Sequence, residues 1–498
     1  MNGPLRKVSL FISLLMAALL VNITWLAVAR SEDMLKDPRN VRVRDAEFNT
    51  NRGAILVGND AIAMSTPASG TLPWQRTFPQ GETYSSVTGW YSYSYGKQEL
   101  ERNWNAELTG TASSQTFTRL VDLLAGKKPQ GANLNTTLNP KAQAAAVKAL
   151  GKQQGAAIAV DYTTGEILAL VSTPTYDPNL LASHDTSVER QNWDMLVNDS
   201  AEPLKNRAAR EIFPPCSTFK LVTAAAALEA GYNPSSTVAS PTSYQAPGSS
   251  HGIGNSTDCG GTETTLEHAL AMSCNTAFAK LGVDLGQTKM LDTAQRFGFN
   301  SAPGIDLPSS TSKFPTQMDP AYLAQSSIGQ YEVAATPLQM LMVASAIANN
   351  GVLMKPHVVK SVTGSDLKVI QTIQPEQAGR PISEGTAKQL KQMMENVVSD
   401  GTGSPAQARG LTIGGKTGTA QSDPNRPPYV VRRLRQRTAR RRCGFRAEHV
   451  GRTQRHLGRQ GRRAGVQGRR GVPPMRTGRN RADGPQWFPI NRKDQCDD

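Results

Sequence analysis

We expect the chain to fold around residues 214–229, which read PPCSTFKLVTAAAALE. Two prolines end the preceding segment, and the small apolar residues after Lys220 predict a buried helix. Ser217 and Lys220 are three positions apart, so their side chains lie one turn apart on one face of that helix. A neutral lysine amine within hydrogen-bond reach activates a serine hydroxyl, and burial keeps the amine neutral. The segment therefore predicts a serine nucleophile at a helix N-terminus, where an anion is stabilised.

Two further motifs follow in the second half of the chain. Ser273-Cys274-Asn275 comes after a helix-like stretch, and Lys416-Thr417-Gly418-Thr419-Ala420 comes after two glycines. Ser-x-x-Lys alone is a weak signal, because a surface serine beside a surface lysine gives the same spacing. The three motifs in this order are the signature of penicillin-binding proteins and class A β-lactamases. Together they predict serine acyl-transfer chemistry.

The N-terminus predicts a membrane anchor. Arg6 and Lys7 precede residues 8–29, which carry no charge and are long enough to cross a bilayer. The alternative is a cleaved secretory signal, but the apolar run is longer than a typical signal core and no small-x-small cleavage site follows it. We expect residues 1–7 to be cytoplasmic, residues 8–29 to be an uncleaved single-pass anchor in the cell membrane, and the bulk to be extracellular.

At 498 residues the chain predicts two or more domains. Residues 30–150 show no catalytic cluster and predict a small non-catalytic domain of a dimerisation or pedestal type. Residues 151–428 open with two strand-like runs, 156–161 and 167–172, and continue with helices such as those predicted over 288–297, 336–348 and 384–398. This pattern predicts an α+β fold in which helices pack on an antiparallel sheet.

The composition changes at residue 429. From Val430 to Asp498 the chain has 20 Lys+Arg against 5 Asp+Glu, which accounts for the whole net charge of +15. We predict that residues 429–498 are an arginine-rich tail that is disordered and builds no core. An alternative of another class is a protein that binds nucleic acid or another anionic polymer through this tail. The tail would lie outside the membrane and lacks interleaved aromatic residues, so we expect no nucleic-acid partner.

Cysteine and histidine usage gives no metal signature. The five cysteines include no Cys-x-x-Cys pair, and the six histidines are scattered. Cys259 and Cys274 can form a disulfide in an extracellular domain, but their spacing leaves this open. We expect no metal and no cofactor.

With these motifs in place, the sequence resembles the class B penicillin-binding proteins, and among them the actinobacterial penicillin-binding protein A group. The resemblance extends to about residue 428 and includes these stretches besides the three motifs: Arg52–Ile55, Pro174–Pro178, Asn206–Ala208, Ser326–Gln330 and Ala335–Met340. It implies a monofunctional membrane enzyme that cross-links peptidoglycan stem peptides in cell-wall synthesis and division. Implied partners are the D-Ala-D-Ala donor, a diamino-acid acceptor, β-lactams, the cytoplasmic membrane and divisome proteins.

The resemblance also implies a role for each motif residue. Ser217 would attack the donor carbonyl and Lys220 would act as general base. Ser273 would relay a proton, Asn275 would hold Lys220 and the substrate amide, and Lys416 would supply positive charge. The predicted substrate-binding residues are on the Lys416 strand: Thr417, Gly418 and Thr419.

Two departures from the family affect these expectations. Cys216 occupies a position where the family usually has glycine, and a positive φ there would cost about 1–3 kcal/mol. The tail replaces the family's last strands and helix, so we predict missing strands beside the Lys416 strand, weak folding and little activity. We explain the tail by a shifted reading frame. Residues 430–439 can be encoded so that reading one nucleotide later gives Trp-Phe-Ala-Gly-Tyr-Ala-Asn-Ala-Pro, which is similar to a family strand.

Other activities share this chemistry. A D,D-carboxypeptidase or a β-lactam-hydrolysing enzyme would use the same serine, but the long N-terminal region and the anchor argue against a secreted β-lactamase. A β-lactam-sensing receptor would carry further transmembrane segments or a cytoplasmic signalling domain, and the sequence shows neither.

Overall fold

The computed structural model of the chain describes residues 2–30, 41–126, 130–419, 429–432 and 443–449. Its first element, helix α1, spans Asn2–Val28. Within it, Gly3–Val28 has a mean hydropathy of 2.3, and none of its most apolar 18-residue window is buried among the described residues. This helix is long and apolar enough to cross a bilayer, which is compatible with the predicted membrane anchor.

The remaining α-helices of the described residues are mostly short. They are Val41–Phe48 (α2), Gly81–Thr88 (α3), Glu99–Asn103 (α4), Asn105–Thr109 (α5), Thr116–Leu124 (α6), Pro140–Leu150 (α7), Thr186–Val197 (α8), Lys220–Glu229 (α9), Leu266–Met272 (α10), Asn275–Leu285 (α11), Gln287–Arg296 (α12), Pro320–Ser326 (α13), Pro337–Ala348 (α14) and Glu384–Ser399 (α15). Turns of 3₁₀-helix occur at Ser113–Gln115, Pro178–Leu181, Cys216–Thr218 and Ser404–Ala406.

The strands form two larger sheets and several two-stranded pairs. They are Ile55–Val57 (β1), Asp60–Pro67 (β2), Trp74–Thr77 (β3), Tyr91–Ser92 (β4), Gly96–Lys97 (β5), Asn133–Thr136 (β6), Gly155–Val160 (β7), Ile167–Thr173 (β8), Thr237–Ala239 (β9), Ser243–Tyr244 (β10), Ile253–Gly254 (β11), Glu263–Thr265 (β12), Leu353–Met354 (β13), Val359–Thr363 (β14), Val369–Thr372 (β15), Gln377–Gly379 (β16), Gly418–Thr419 (β17), Tyr429–Arg432 (β18) and Cys443–His449 (β19).

One six-stranded sheet combines the two halves of the chain. Its order is β15-β14-β6-β1-β2-β3, so a hairpin from residues 359–372 extends a sheet built from residues 55–136. Strand β14 pairs with β6 in an antiparallel ladder. In space, therefore, the N-terminal sheet includes two strands that the sequence analysis assigned to 151–428. The predicted boundary at residue 150 stays a prediction.

The second sheet includes the third motif, at β17, and has the order β17-β18-β19-β7-β8. Strands β7 and β8 form the hairpin predicted at the start of this region. Helix α9 packs against other helices of this region, and every residue from Lys220 to Leu228 in it is buried. Its alanines allow helices α11, α12 and α15 to approach closely. The arrangement confirms the predicted α+β fold.

The structure corrects one prediction about the tail. Strand β18 pairs with β17, and β19 pairs with both β18 and β7, so the sheet is continuous beyond the Lys416 strand. The prediction that strands are missing there is wrong for 429–432 and 443–449. Composition argues against a hydrophobic core, but ladder hydrogen bonds join backbone groups and do not depend on side-chain type. The rest of the predicted tail lies outside the described residues.

Candidate active site

The nucleophile segment begins with a strained turn. Cys216 has φ +52 and is completely buried, and its backbone N–H donates to Gly329 O over 2.9 Å. This confirms that the position has the left-handed backbone for which glycine is preferred. The Sγ atom lies 3.0 Å from Pro214 O, and burial raises the pKa of the Cys216 thiol to about 12. The thiol is therefore a packed neutral group beside the nucleophile.

Lys220 connects the first motif with the second. Its Nζ atom lies 3.1 Å from Ser217 Oγ, 2.7 Å from Asn275 Oδ1, and 2.7 and 3.3 Å from the backbone and side-chain oxygens of Ser273. The side chain is completely buried. The predicted contact of one helical turn is thus present, and the second motif provides acceptors around the same amine.

A residue with a left-handed backbone conformation directs the second motif toward the Lys220 amine. Ser273 caps the C-terminal end of helix α10 with φ +63. The resulting turn separates helix α10 from helix α11, which begins at Asn275. Asn275 accepts from Lys220 through Oδ1 and donates through Nδ2 to Gly254 O over 3.0 Å. Both of its polar atoms are therefore fixed, and its side chain cannot rotate without losing a hydrogen bond.

The third motif contacts Ser273 from the side opposite Lys220. Lys416 Nζ lies 2.8 Å from Ser273 Oγ and 3.0 Å from Thr417 O, and only 2% of Lys416 is exposed. Ser273 Oγ is thus placed between two lysine amines. Thr417 Oγ1 lies 2.8 Å from Thr402 Oγ1, in the loop after α15.

A cavity of about 580 Å³ collects the predicted site residues. Lys220 is not a lining residue, but its Nζ atom contacts the lining residues Ser217, Ser273 and Asn275. The predicted residues that line it are Ser217, Ser273, Asn275, Lys416, Thr417, Gly418 and Thr419. A cleft of this size holds a small peptide segment.

The electrostatics of the site follow from two buried lysines without a buried acid beside them. Burial, followed by repulsion from Lys416, holds the pKa of Lys220 well below its ordinary value. Burial lowers the pKa of Lys416 to about 7. Among the described residues, none of those that line the cavity is acidic. A neutral Lys220 is therefore available as a base at neutral pH, and the cavity favours an anionic ligand.

The structure adds residues that the motifs did not indicate. Cys259 and Cys274 form a disulfide, which settles the open pairing and ties the second motif to the loop that contains Asn255. Asn255 Oδ1 accepts from Thr276 N over 3.0 Å. Thr402 was also missed, because no local pattern marks it. In the part of the chain that the structure describes, no cluster of His, Cys, Asp or Glu side chains is arranged to hold a metal ion.

Comparison with known families agrees with this geometry. The profile of the penicillin binding protein transpeptidase domain matches residues 155–431, more than half of the chain. The chain belongs to the class B penicillin-binding protein family. A second profile, the penicillin binding protein A dimerisation domain, matches residues 52–134 of this penicillin-binding protein.

Relatives of this penicillin-binding protein cover nearly its whole length. It is 40% identical to the peptidoglycan D,D-transpeptidase PbpA of Mycolicibacterium smegmatis, over 86% of this chain and 90% of that protein. The Mycobacterium tuberculosis protein of the same name is 38% identical, over 86% of this chain and 89% of that protein.

Solved structures show the same architecture. The penicillin G acyl-enzyme complex of penicillin-binding protein A from M. tuberculosis is 36% identical, with a TM-score of 0.75 over 80% of this chain and 93% of that one. The imipenem acyl-enzyme complex has a TM-score of 0.77 at 35% identity, over 82% and 95%. That protein forms covalent complexes with β-lactams on the fold that this penicillin-binding protein shares.

Proposed function

We propose that this chain is a peptidoglycan D,D-transpeptidase that cross-links stem peptides through an acyl-enzyme on Ser217 and is acylated there by β-lactams. The observation that carries the proposal is the position of Lys220 Nζ, 3.1 Å from Ser217 Oγ and 2.7 Å from Asn275 Oδ1 in a fully buried setting. The names of the relatives and the acyl-enzyme complexes support the same reaction. The reaction needs no metal or cofactor.

Acylation uses the three motifs together. Ser217 Oγ attacks the carbonyl carbon between the two terminal D-Ala residues, and Lys220, neutral because it is buried, takes the hydroxyl proton. The C–N bond to the terminal D-Ala breaks, and Ser273 relays a proton to the leaving amine. The released D-Ala thus carries the proton that the serine lost. We assign the oxyanion hole to the backbone N–H groups of Ser217 and Thr419, each worth roughly 3–4 kcal/mol.

Substrate binding would use the Lys416 strand. Lys416 supplies positive charge, and Thr417 and Thr419 bind the substrate carboxylate. Gly418 has no side chain, so the donor backbone can lie close to β17 as an added strand. In the second half-reaction, the amine of a neighbouring stem attacks the ester carbonyl. The bond to Ser217 Oγ breaks, and the proton lost by the amine returns to the serine.

We propose the same membrane arrangement that the sequence predicts. Arg6 and Lys7 would keep the N-terminus cytoplasmic, α1 would span the cytoplasmic membrane once, and the catalytic domain would be extracellular. The site disulfide supports an oxidising compartment. Residues 30–150 would form the non-catalytic domain and 151–428 the transpeptidase domain, with divisome proteins as partners.

The tail led us to predict little activity; because strands β18 and β19 continue the catalytic sheet beyond β17, we propose instead that the chain is active. We also propose that the arginine-rich residues after Tyr429 arise from a shifted reading frame. The transpeptidase profile stops at residue 431, which supports this idea. Sequencing the DNA around the Tyr429 codon tests it: a frame that encodes the arginines and yields no family-like strand when shifted would dismiss it.

Product analysis tests the proposed reaction. The full-length chain in detergent is given a donor pentapeptide and an amine acceptor, and the products are separated by mass. Cross-linked dimer is expected. Free D-Ala without dimer would indicate a D,D-carboxypeptidase, and rapid release of penicilloate from a bound penicillin would indicate a β-lactamase.

A further inference from the structure

Two exposed tyrosine rings are stacked next to a segment that lines the cavity. Tyr322, on α13, and Tyr331, in the turn after it, stack with centroids 4.2 Å apart and planes 15° apart. The two side chains are 43% and 37% exposed. Tyr331 directly follows Gln330, which lines the cavity. Because tyrosine rings normally bury most of their faces, an exposed stacked pair offers a binding surface.

The turn that carries Tyr331 is fastened to the nucleophile segment on both sides. Gly329 O accepts from the backbone N–H of Cys216, and Ala335 exchanges two backbone hydrogen bonds with Phe213, of 2.9 and 2.8 Å. Tyr331 itself has φ +59, a conformation that bulky residues rarely adopt. The surrounding backbone holds this conformation, so the ring has a defined position relative to Ser217.

Two acidic residues accompany the rings. Asp319 caps α13 by accepting from Tyr322 N over 2.8 Å, and Glu332 directly follows Tyr331. Both are exposed. Desolvation of the ring, followed by the negative charge of Glu332, raises the pKa of Tyr331. Aromatic faces beside carboxylates attract ammonium groups.

We propose that Tyr322, Tyr331 and Glu332 bind the ammonium-bearing end of the acceptor stem peptide and select the acceptor. The inference rests on the transpeptidase function proposed above, since only its second half-reaction requires a peptide amine. The carbonyl of the Ser217 ester must meet this amine, and Tyr331 directly follows Gln330, which lines the cavity. Binding at this surface is non-covalent and holds the acceptor as an ammonium. The ammonium gives one proton to water before it attacks, and the bond changes are then those given for the second half-reaction.

The test separates acceptor binding from acylation in the full-length chain. The variants are Glu332→Gln, Tyr331→Gly and Tyr331→Phe, assayed with a peptide-amine acceptor that carries no sugar. We expect the acceptor KM to rise about 2- to 30-fold in the first two, the range of cation–π attraction, and to change little in the third. The rate constant for acylation by penicillin, a step without an acceptor, should stay within about twofold of wild type.

Two matched controls lie outside the cavity. Leu367→Gly removes another exposed side chain with a positive φ, +64, and Glu82→Gln removes another exposed acid. Neither should change the acceptor KM. An unchanged KM in Glu332→Gln and Tyr331→Gly would overturn the inference, as would an equal loss of penicillin acylation. A wild-type chain that takes up no penicillin would overturn the proposed function and this inference together.

Discussion

The Nζ atom of Lys220 lies 3.1 Å from the Oγ atom of Ser217, and the solvent reaches no part of that lysine. An amine in this position is neutral at neutral pH because its charged form would lose the hydration that water provides. Two of its other partners, Asn275 Oδ1 and Ser273 O, are acceptors at 2.7 Å that keep it pointed at the serine. The nucleophile and its base are therefore positioned before any substrate binds.

Removing this amine should slow acylation strongly. Lys220→Met keeps a long apolar side chain but has no base, so we expect the rate constant for penicillin acylation to fall about 10²- to 10⁴-fold. The matched control is Lys280→Met on α11, where an exposed lysine pairs with Asp284. Thermal unfolding of both variants checks the fold. Acylation by Lys220→Met within threefold of wild type would contradict the assigned role.

The two buried lysines should give a bell-shaped pH dependence. Lys220 accepts a proton only when neutral, so the acylation rate should rise with pH through its depressed pKa. Lys416 is cationic only below its pKa of about 7, so the rate should fall as the pH rises above that value. Arginine keeps its charge at high pH. In Lys416→Arg the fall in rate should therefore begin at a higher pH, even if the maximum rate is lower. A profile of wild type that is flat from pH 6 to 9 would be incompatible with this assignment.

The disulfide should support the second motif. Cys259 and Cys274 are 15 residues apart, and closing a loop of that length is worth about 3 kcal/mol of stability. Cys259→Ser should lower the melting temperature and slow acylation, because the loop that holds Asn275 through Gly254 O loses its tether. Dithiothreitol should do the same to wild type and nothing further to the variant. If dithiothreitol changes neither the melting temperature nor the acylation rate of wild type, the disulfide does not support the second motif.

A buried acid outside the site should make stability depend on pH. Glu99 is 3% exposed, and burial raises its pKa from 4.5 to about 8 although a hydrogen bond with Asn206 lowers it. From about pH 4.5 to 8 the unfolded chain releases a proton that the folded chain keeps, so stability falls as pH rises.

Glu99→Gln should remove this loss. The free energy of unfolding of the variant should exceed that of wild type by on the order of 3–5 kcal/mol at pH 9 and by little at pH 4, since each pKa unit is worth about 1.4 kcal/mol. Glu82→Gln, an exposed residue on α3, is the control. Melting temperatures that shift equally at both pH values would show that packing, and not ionisation, explains the change.

Local spacing accounts for the parts of the site that were predicted from sequence. Ser217 and Lys220 meet because residues three apart share a helix face, and helices α12, α14 and α15 lie within one or two residues of their predicted bounds. The meeting of Ser273 and Lys416, 143 residues apart, depends on tertiary packing. It was expected from the order of the three motifs and the family resemblance.

Other features were not predicted because they depend on distant pairing. The hairpin of β14 and β15 joins the N-terminal sheet through β6, more than 200 residues earlier. Strands β18 and β19 were missed because the composition of residues 429–498 indicates no core. Backbone hydrogen bonds to β17 and β7 nevertheless order these two segments.

Labelling of Ser217 by a fluorescent penicillin tests the central claim most directly. The full-length chain and Ser217→Ala are incubated with the label and analysed by intact mass and peptide mapping. We predict one covalent adduct per wild-type chain, on the peptide that contains Ser217, and none in the variant. A wild-type chain that acquires no adduct, or a variant labelled as fast as wild type, would contradict the account.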